Sequence, residues 1–263
     1  MEWQSFDSYE GLSARAASIL LDAIRKNPRE VLGLPTGRTP IGMYAHVVAQ
    51  CTREYYCFRE VTTFNLDEYV GIPRDHPGSY CTYMRHHLFD HVDLDSRNTH
   101  IPDGLHPDGA RYEKEIANAG GLGITFLGLG QNGHIGFNEP GTPFTSRTRV
   151  VELTQSTRHA NADLFPDGHV PTQAITMGIG TILDSRRIVL LASGASKRAA
   201  IERLKSGDVS EDFPASALHQ HHDVTVLTTS WSGGRPNASF RRCRPMHPPV
   251  RRWCPTSAKA RAA

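Results

Sequence analysis

The chain has 263 residues and a formal net charge of +2, with 38% hydrophobic and 21% charged residues. This length and composition allow a sizeable core, which excludes a disulfide-stapled peptide and a chain that is disordered throughout. No apolar run approaches the roughly 18–20 residues of a membrane helix, the start lacks a signal-peptide pattern, and the five cysteines follow no disulfide or metal-site spacing. We therefore expect a reduced, cytoplasmic protein with no membrane partner.

The net charge combines two segments of opposite sign. Residues 231–263 contain seven arginines and one lysine but no Asp or Glu, which leaves 21 basic and 27 acidic residues in 1–230. An acidic body lacks the basic surface of a nucleic-acid-binding protein, so we expect no nucleic-acid partner.

Short apolar runs alternate with amphipathic segments through the first 229 residues, a pattern typical of βαβ units and a mainly parallel sheet. Apolar residues at helical spacing predict a first helix over 9–26. Strands are predicted at 30–34, 60–66, 122–129, 187–193 and 223–228. Further helices are predicted at 40–50, 79–90, 109–118, 156–164, 195–206 and 214–220. Since no repeat or flexible linker interrupts these elements, we predict a single α/β domain over 1–229.

The character of the chain changes after Thr229. Residues 230–263 are rich in Arg, Pro, Ser and Ala and lack an apolar period, so we predict a disordered basic tail. The alternative is a segment read in a shifted frame from GC-rich DNA, which resequencing of the source locus would test.

Two predicted strand ends have the composition of a phosphate site, because ligands of an open α/β sheet bind beyond the carboxyl ends of its strands. Residues 33–40 form a small-residue loop that offers backbone N–H groups and the hydroxyls of Thr36 and Thr39. Lys197 lies in the first turn of a predicted helix, where it opposes the helix dipole unless an anion lies between them. An ordinary βα turn and a surface lysine are the alternatives.

Asp67 and Glu68 directly follow the predicted strand 60–66. Because side chains alternate along a strand, we expect at most one of these carboxylates to enter a cleft. Two solvated acids or a helix cap are the alternatives.

A glycine-dense loop follows the predicted strand 122–129 and carries Asn132, His134 and Glu139. It contains a G-x-G-x-x-G pattern from Gly128 to Gly133, but the glycines and prolines that follow forbid the helix that a dinucleotide site requires. An imidazole beside a carboxylate is suited to proton transfer near neutral pH, so we interpret the loop as functional. A structural histidine is the alternative.

Other patterns predict no site. The histidine groups at 86–91 and 219–222 lack the spacing and partners of a zinc site, and no Gly-x-Ser-x-Gly elbow is present.

Taken together, these segments resemble the glucosamine-6-phosphate deaminase (glucosamine-6-phosphate isomerase) family, from the first strand to about Thr228. The resemblance rests on Leu-Pro-Thr-Gly-x-Thr-Pro at 34–40, Phe-Asn-Leu-Asp-Glu-Tyr-Val-Gly at 64–71, His-Pro-x-Ser-Tyr at 76–80, Gly-His-Ile-Gly-Phe-Asn-Glu-Pro-Gly at 133–141, Ser-Arg-Thr at 146–148 and Pro-Ala-Ser-Ala-Leu at 214–218. It implies a three-layer Rossmann-like α/β fold with a mainly parallel central sheet.

The resemblance also implies an activity, the conversion of D-glucosamine 6-phosphate and water to D-fructose 6-phosphate and ammonia. An amino-sugar phosphate would be the small-molecule partner, and neither a metal nor an organic cofactor is implied. Homo-oligomerisation stays open, because members range from monomers to hexamers.

The resemblance implies a role for each candidate residue. Asp67 matches the base that takes the C2 proton, and His134 matches the acid/base of ring opening, with Asn132 and Glu139 as its partners. Thr36, Gly37, Arg38 and Thr39 fall in the phosphate loop, and Lys197 matches a phosphate-binding lysine.

Three positions depart from the family pattern. Asn132 replaces an Asp of some members, which orients His134 without adding charge. Asp163 stands where an arginine is expected and reverses a charge that would favour phosphate. Val151 replaces a lysine of the allosteric members, so we do not expect their effector to activate this chain, although Thr142 and Arg149 are retained.

Three other functions are kept as alternatives. Deamination of galactosamine 6-phosphate differs only at one sugar hydroxyl. A 6-phosphogluconolactonase-like reaction shares the fold but is disfavoured by the intact Asp67 and His134–Glu139 set. A non-catalytic sugar-phosphate sensor is disfavoured because no helix-turn-helix segment precedes the first strand.

Overall fold

A parallel sheet of seven strands lies at the centre of the computed structural model, which describes residues 1–54, 56–165 and 168–230. In spatial order its strands are β1 (Glu2–Phe6), β10 (Val224–Thr229), β9 (Arg187–Ala192), β6 (Ile124–Gly128), β2 (Val31–Leu34), β3 (Thr62–Asn65) and β5 (Thr99–His100). Each pair of neighbouring strands in this sheet is parallel. The carboxyl ends of the strands therefore share one edge, as the prediction of a site there requires.

Helices cover both faces of the sheet. On one side lie α1 (Tyr9–Lys26), α2 (Ile41–Arg53) and α3 (Tyr80–His87), and on the other α4 (Gly109–Asn118), α6 (Ile179–Leu183) and α7 (Arg198–Ser206). Consecutive residues of β6 divide between the two cores, since Phe126 packs with the first group and Leu127 with the second. This confirms the three-layer α/β fold and explains why the strands are continuous apolar runs.

Local sequence fixes the first helix at the predicted bounds. The Ser8 side chain caps α1 by accepting the Gly11 N–H at 3.1 Å, and Arg25 and Lys26 complement the dipole at its end. Leu12, Ala16 and Leu20 are fully buried on the face toward the sheet. No helix in the described part of the chain is both long and apolar enough to cross a membrane.

A second, antiparallel sheet has the order β4 (Asp67–Tyr69), β8 (Gln173–Thr176) and β7 (Arg149–Glu152). Its register places Thr176 opposite both Asp67 and Arg149. Between this sheet and α3 lies a third, aromatic cluster that contains Tyr69, Tyr80, Phe137 and Phe165. The small sheet brings Asp67 to the edge where the strands of the central sheet end.

The predicted strand 60–66 contains β3 alone, and β4 begins directly after it, at Asp67. The chain changes sheets at Leu66, whose N–H donates to Leu34 of β2 while its carbonyl accepts from Met177 beyond β8. Apolar content does not reveal this change, because both strands are buried.

Other predicted elements differ at their ends or in type. The segment 214–220 is a 3₁₀ helix, in which the Ser216 hydroxyl bonds to the backbone of Ser210 at both its N–H and its carbonyl. The predicted helix 156–164 is α5 (Gln155–Ala160) followed by a 3₁₀ turn, and the predicted helices 79–90 and 195–206 are likewise divided. Strands β1, β4, β5, β7 and β8 and helix α6 have no counterpart among the predicted elements. The predicted tail lies outside the described residues from 231 onward.

Candidate active site

Asp67 occupies the junction of the two sheets, as the first residue of β4. Its side chain is 5% exposed. A Cβ on Gly136, in the glycine-dense loop, would lie 3.6 Å from Oδ2 of Asp67, so the carboxyl group faces that loop. Burial, and then the charge of Glu68, raises the pKa of Asp67 to about 8. The group therefore exchanges its proton close to neutral pH, which suits a general base.

Glu68 is also buried but has a different set of partners. Its carboxylate accepts the N–H groups of Tyr69, Tyr80 and Cys81 at 2.9, 3.0 and 3.1 Å, and the last two begin α3. Burial raises the pKa of Glu68 to about 7, and these three hydrogen bonds oppose the rise. Glu68 thus caps a helix, and neither carboxylate is the solvated acid that was kept as an alternative.

His134 and Glu139 lie on the loop after β6 and form a pair. Nδ1 of His134 lies 3.5 Å from Oε2 of Glu139, longer than an ordinary hydrogen bond, and Nδ1 has no hydrogen-bond partner within the described residues. Asn132 joins the two, because its Nδ2 donates to Glu139 Oε2 at 2.6 Å and its Oδ1 accepts the His134 N–H at 3.2 Å. Glu139 is thereby positioned to hold a proton on Nδ1, which leaves Nε2 for a ligand.

Glu139 is an anion at neutral pH. Burial opposes its ionisation, but the proximity of His134 and the hydrogen bonds from Thr157 and Asn132 hold its pKa at about 2. The Thr157 hydroxyl on α5 donates to Glu139 Oε1 at 2.7 Å. Thr157 is not among the candidates predicted from the sequence, and nothing in the pattern of the predicted helix distinguishes it.

The glycine density of this loop has a steric cause at two positions. A Cβ on Gly130 would lie 2.4 Å from the His134 ring, so only glycine lets the imidazole fold back over the strand end. Gly133 has φ +88°, and a Cβ there would lie 2.1 Å from the ring of Phe213. Both glycines are therefore needed to place His134.

The loop after β2 carries the predicted phosphate residues. Gly37 adopts φ +97°, which turns the chain between Thr36 and Arg38. Tyrosine hydroxyls donate to three carbonyls of this loop, from Tyr44 to Pro35 at 2.6 Å, Tyr83 to Gly37 at 2.6 Å and Tyr9 to Thr39 at 2.9 Å. No hydrogen bond within the described residues takes the N–H groups of Thr36, Gly37, Arg38 or Thr39. The loop therefore presents donors rather than acceptors to a ligand.

Arg38 is engaged by the residue that departs from the family pattern. Its guanidinium donates to Oδ2 of Asp163 at 2.8 Å, and both side chains are largely exposed. Asp163 thus contributes no cation and holds the arginine of the opposite loop.

Lys197 lies in a 3₁₀ turn before α7, at the end of β9. Burial lowers the pKa of its amine. Within the described residues no hydrogen bond or ion pair joins Lys197 to the other candidates, and the feature that it shares with them is the edge at which the central strands end. Among the described residues no group of three His, Cys, Asp or Glu side chains is placed to hold a metal ion.

Comparisons with known proteins agree along most of the chain. Residues 6–227 match the family described as glucosamine-6-phosphate isomerases/6-phosphogluconolactonase. Glucosamine-6-phosphate deaminase of Bacillus velezensis is 51% identical over 231 residues, 86% of this chain and 96% of the relative. Glucosamine-6-phosphate deaminase 1 of Bacillus subtilis is 50% identical over 232 residues, with coverage of 86% and 96%.

Solved structures match the chain at two levels of similarity. A structure described as a monomeric glucosamine-6-phosphate deaminase is 49% identical, with a TM-score of 0.85 and coverage of 87% of this chain and 97% of the other. The 6-phosphogluconolactonase of Trypanosoma cruzi is 20% identical, with a TM-score of 0.71 and coverage of 87% and 94%. The second likeness is one of fold alone.

The raised pKa of Asp67 predicts how the stability of the protein depends on pH. A carboxyl group of the unfolded chain has a pKa of about 3.9, whereas that of folded Asp67 is about 8. The folded state keeps the proton between these values, so the free energy of unfolding falls as pH rises through this window. Because an amide stays neutral, we expect Asp67→Asn to be more stable than the wild type by about 1–3 kcal/mol at pH 8 and nearly equal at pH 4.

Urea unfolding at both pH values measures this difference. Asp75→Asn, the same change at an exposed carboxylate, is the matched control and should shift stability little at either pH. A stability difference for Asp67→Asn that is the same at pH 4 and pH 8 would contradict the raised pKa.

Proposed function

The chain belongs to the glucosamine-6-phosphate isomerase/6-phosphogluconolactonase family, and we propose that it is a glucosamine-6-phosphate deaminase. It would convert D-glucosamine 6-phosphate and water to D-fructose 6-phosphate and ammonia. One observation carries the proposal, namely that a buried Asp67 with a pKa near neutrality faces the loop that holds the His134–Glu139 pair. Relatives named as deaminases, at about half identity over nearly their whole length, support the same activity.

The reaction begins with ring opening. His134 takes the proton of the C1 hydroxyl and returns a proton to the ring oxygen as the C1–O5 bond breaks, which yields the open-chain aldehyde. Glu139, an anion beside Nδ1, stabilises the imidazolium that exists between these two transfers.

Isomerisation follows on the opened chain. Asp67 removes the C2 proton, the C2–H electron pair forms a C1=C2 double bond, and the C1=O π pair moves to O1, which takes a proton to give the enolamine. A proton delivered to C1 gives the imine at C2, to which water adds before ammonia leaves. A carboxyl group whose pKa lies near the working pH can take the proton at one step and give it at the next.

We further propose that the phosphate binds between the loop after β2 and the turn after β9. The free N–H groups of Thr36, Gly37, Arg38 and Thr39 and the amine of Lys197 supply the donors and charge that a phosphate requires. All of these residues come from one chain, and a relative of 49% identity is described as monomeric. The proposed reaction therefore does not require residues of a second subunit.

The alternatives differ in what supports them. The lactonase likeness is limited to the fold at 20% identity, and a sensor without catalysis has no use for a buried proton acceptor beside an acid/base pair.

The retained residues of the allosteric pattern have internal partners, since Thr142 donates to the Glu139 carbonyl and Arg149 to Asn138. Deamination of the galactosamine epimer is separated by direct assay.

Ammonia release from glucosamine 6-phosphate tests the proposed function, with galactosamine 6-phosphate as the competing substrate. We expect Asp67→Asn to lower turnover by about 10²–10⁴ and to abolish exchange of the C2 proton with deuterated solvent, because an amide cannot accept that proton. Substrate binding should persist. Undiminished exchange would exclude Asp67 as the base.

A shortened chain tests the extent of the catalytic domain. Full activity in a chain ending at Thr229 would support our proposal that 1–229 is that domain.

His134→Gln tests the ring-opening role. The glutamine keeps hydrogen-bonding capacity but cannot transfer a proton, so turnover of the cyclic substrate should fall by about 10²-fold or more. An open-chain analogue that cannot form the pyranose ring should be affected much less. His106→Gln, at an exposed histidine, is the control. Equal losses on both substrates would assign His134 to a later step.

Asp163→Asn tests the competition for Arg38. Removal of the carboxylate charge frees the guanidinium for phosphate, so we expect the KM for glucosamine 6-phosphate to fall by about two- to threefold at low salt. Screening should abolish the difference at about 1 M salt. A higher KM in the variant would show instead that Asp163 supports the phosphate loop.

A further inference from the structure

Two tyrosine hydroxyls, that of the buried Tyr44 and that of the half-buried Tyr83, donate to the carbonyls of alternate residues in the loop after β2. Tyr44, in the first turns of α2, donates to Pro35 at 2.6 Å, and Tyr83 of α3 donates to Gly37 at 2.6 Å. The two rings contact each other edge to face, with centroids 6.5 Å apart. The pair therefore fixes the loop from the side of the helices.

A hydrogen bond that fixes a carbonyl also fixes the direction of the N–H group in the same peptide bond. In a trans peptide the carbonyl of one residue and the N–H of the next point in opposite directions. The described residues contain no cis peptide bond. A hydroxyl that holds the Pro35 carbonyl thus aims the N–H of Thr36 away from the helices, and the hydroxyl on Gly37 does the same for Arg38.

The two sides of the loop are unequally satisfied as a result. The carbonyls of Pro35 and Gly37 have tyrosine partners, whereas the N–H groups of Thr36 and Arg38 have none within the described residues. Successive N–H groups on one side of a turn form a concavity that binds anions. We propose that Tyr44 and Tyr83 are positioning residues that hold this loop ready to bind a phosphate group.

The two hydroxyls remain hydrogen-bond donors at neutral pH. Burial is the main cause that raises the pKa of both Tyr44 and Tyr83 above the ordinary value, so neither hydroxyl ionises near neutral pH. A third hydroxyl, that of Tyr9, lies 2.9 Å from the Thr39 carbonyl and 3.3 Å from the Arg38 carbonyl. The residue after Thr39 is Pro40, which has no N–H, so the shorter contact anchors the end of the loop without orienting a donor.

The inference rests on the proposed function only for its enzymatic readout. Inorganic phosphate, used as a competitive inhibitor of ammonia release, reports the loop directly. We expect Tyr83→Phe to raise both the inhibition constant of phosphate and the KM for glucosamine 6-phosphate by about five- to tenfold, the worth of one such hydrogen bond. The turnover number should change by less than about twofold, because no reacting atom is touched. Tyr44→Phe should behave alike, and the double variant should bind phosphate more weakly than either.

Tyr112→Phe is the matched control, since it also removes a buried hydroxyl that donates to a backbone carbonyl, that of Asn65 at 2.8 Å, outside the phosphate loop. It should lower the melting temperature comparably and leave the phosphate constant unchanged. Unchanged phosphate constants in both Tyr44→Phe and Tyr83→Phe would overturn the inference, and Tyr83→Phe alone decides it if the other variant does not fold. If the wild type releases no ammonia, the proposed function fails, and calorimetric binding of inorganic phosphate to the same proteins still tests the loop.

Discussion

Two adjacent carboxyl groups withdrawn from water impose the central constraint on this structure. Asp67 and Glu68 are 5% and 2% exposed, and a buried charge is costly unless hydrogen bonds compensate it. Glu68 has such compensation in three backbone N–H groups, two of them at the start of α3. Asp67 has no comparable set of donors among the described residues, so burial disfavours its charged form and raises its pKa further than that of Glu68. Both residues lie in β4, and because side chains alternate along a strand, the two carboxyl groups face different surroundings.

The loop after β6 meets this carboxyl group with an opposite arrangement. There the carboxylate of Glu139 is surrounded by donors from Asn132 and Thr157 and remains charged, while the imidazole beside it keeps Nδ1 without a hydrogen bond. Asp67 is therefore an acid that is reluctant to ionise, and the loop that it faces carries an anion that is reluctant to accept a proton. Such a separation of proton affinities is how enzymes divide acid and base work between similar groups.

The sequence predicts the buried strands of this fold better than its short strands and the point at which the chain changes sheets. Apolar runs such as Ile124–Gly128 are strands buried on both faces, and their pattern suffices to identify them. Strand β7 alternates partly and fully exposed residues over only four positions, and β5 has two residues, so neither carries a periodic signal. The break at Leu66 is invisible because its flanks are equally buried. Within the site, residue types predicted His134 and Asp67, but Thr157, Tyr44 and Tyr83 act through contacts between distant segments that no local pattern encodes.

The order of strands in the central sheet also bears on how the chain reaches its native state. Strand β1 pairs with β10 and, within the described residues, with no other strand. The two strands are neighbours in the sheet although they are far apart in the sequence. During synthesis the first strand must therefore wait, with its hydrogen-bonding edge unsatisfied, until the last one has left the ribosome. Strand pairings between residues so distant along the chain form slowly, and the unpaired strand edges are prone to aggregation until they form. A change in β10 would therefore disturb the amino terminus of the protein, through β1, as well as its other neighbour, β9.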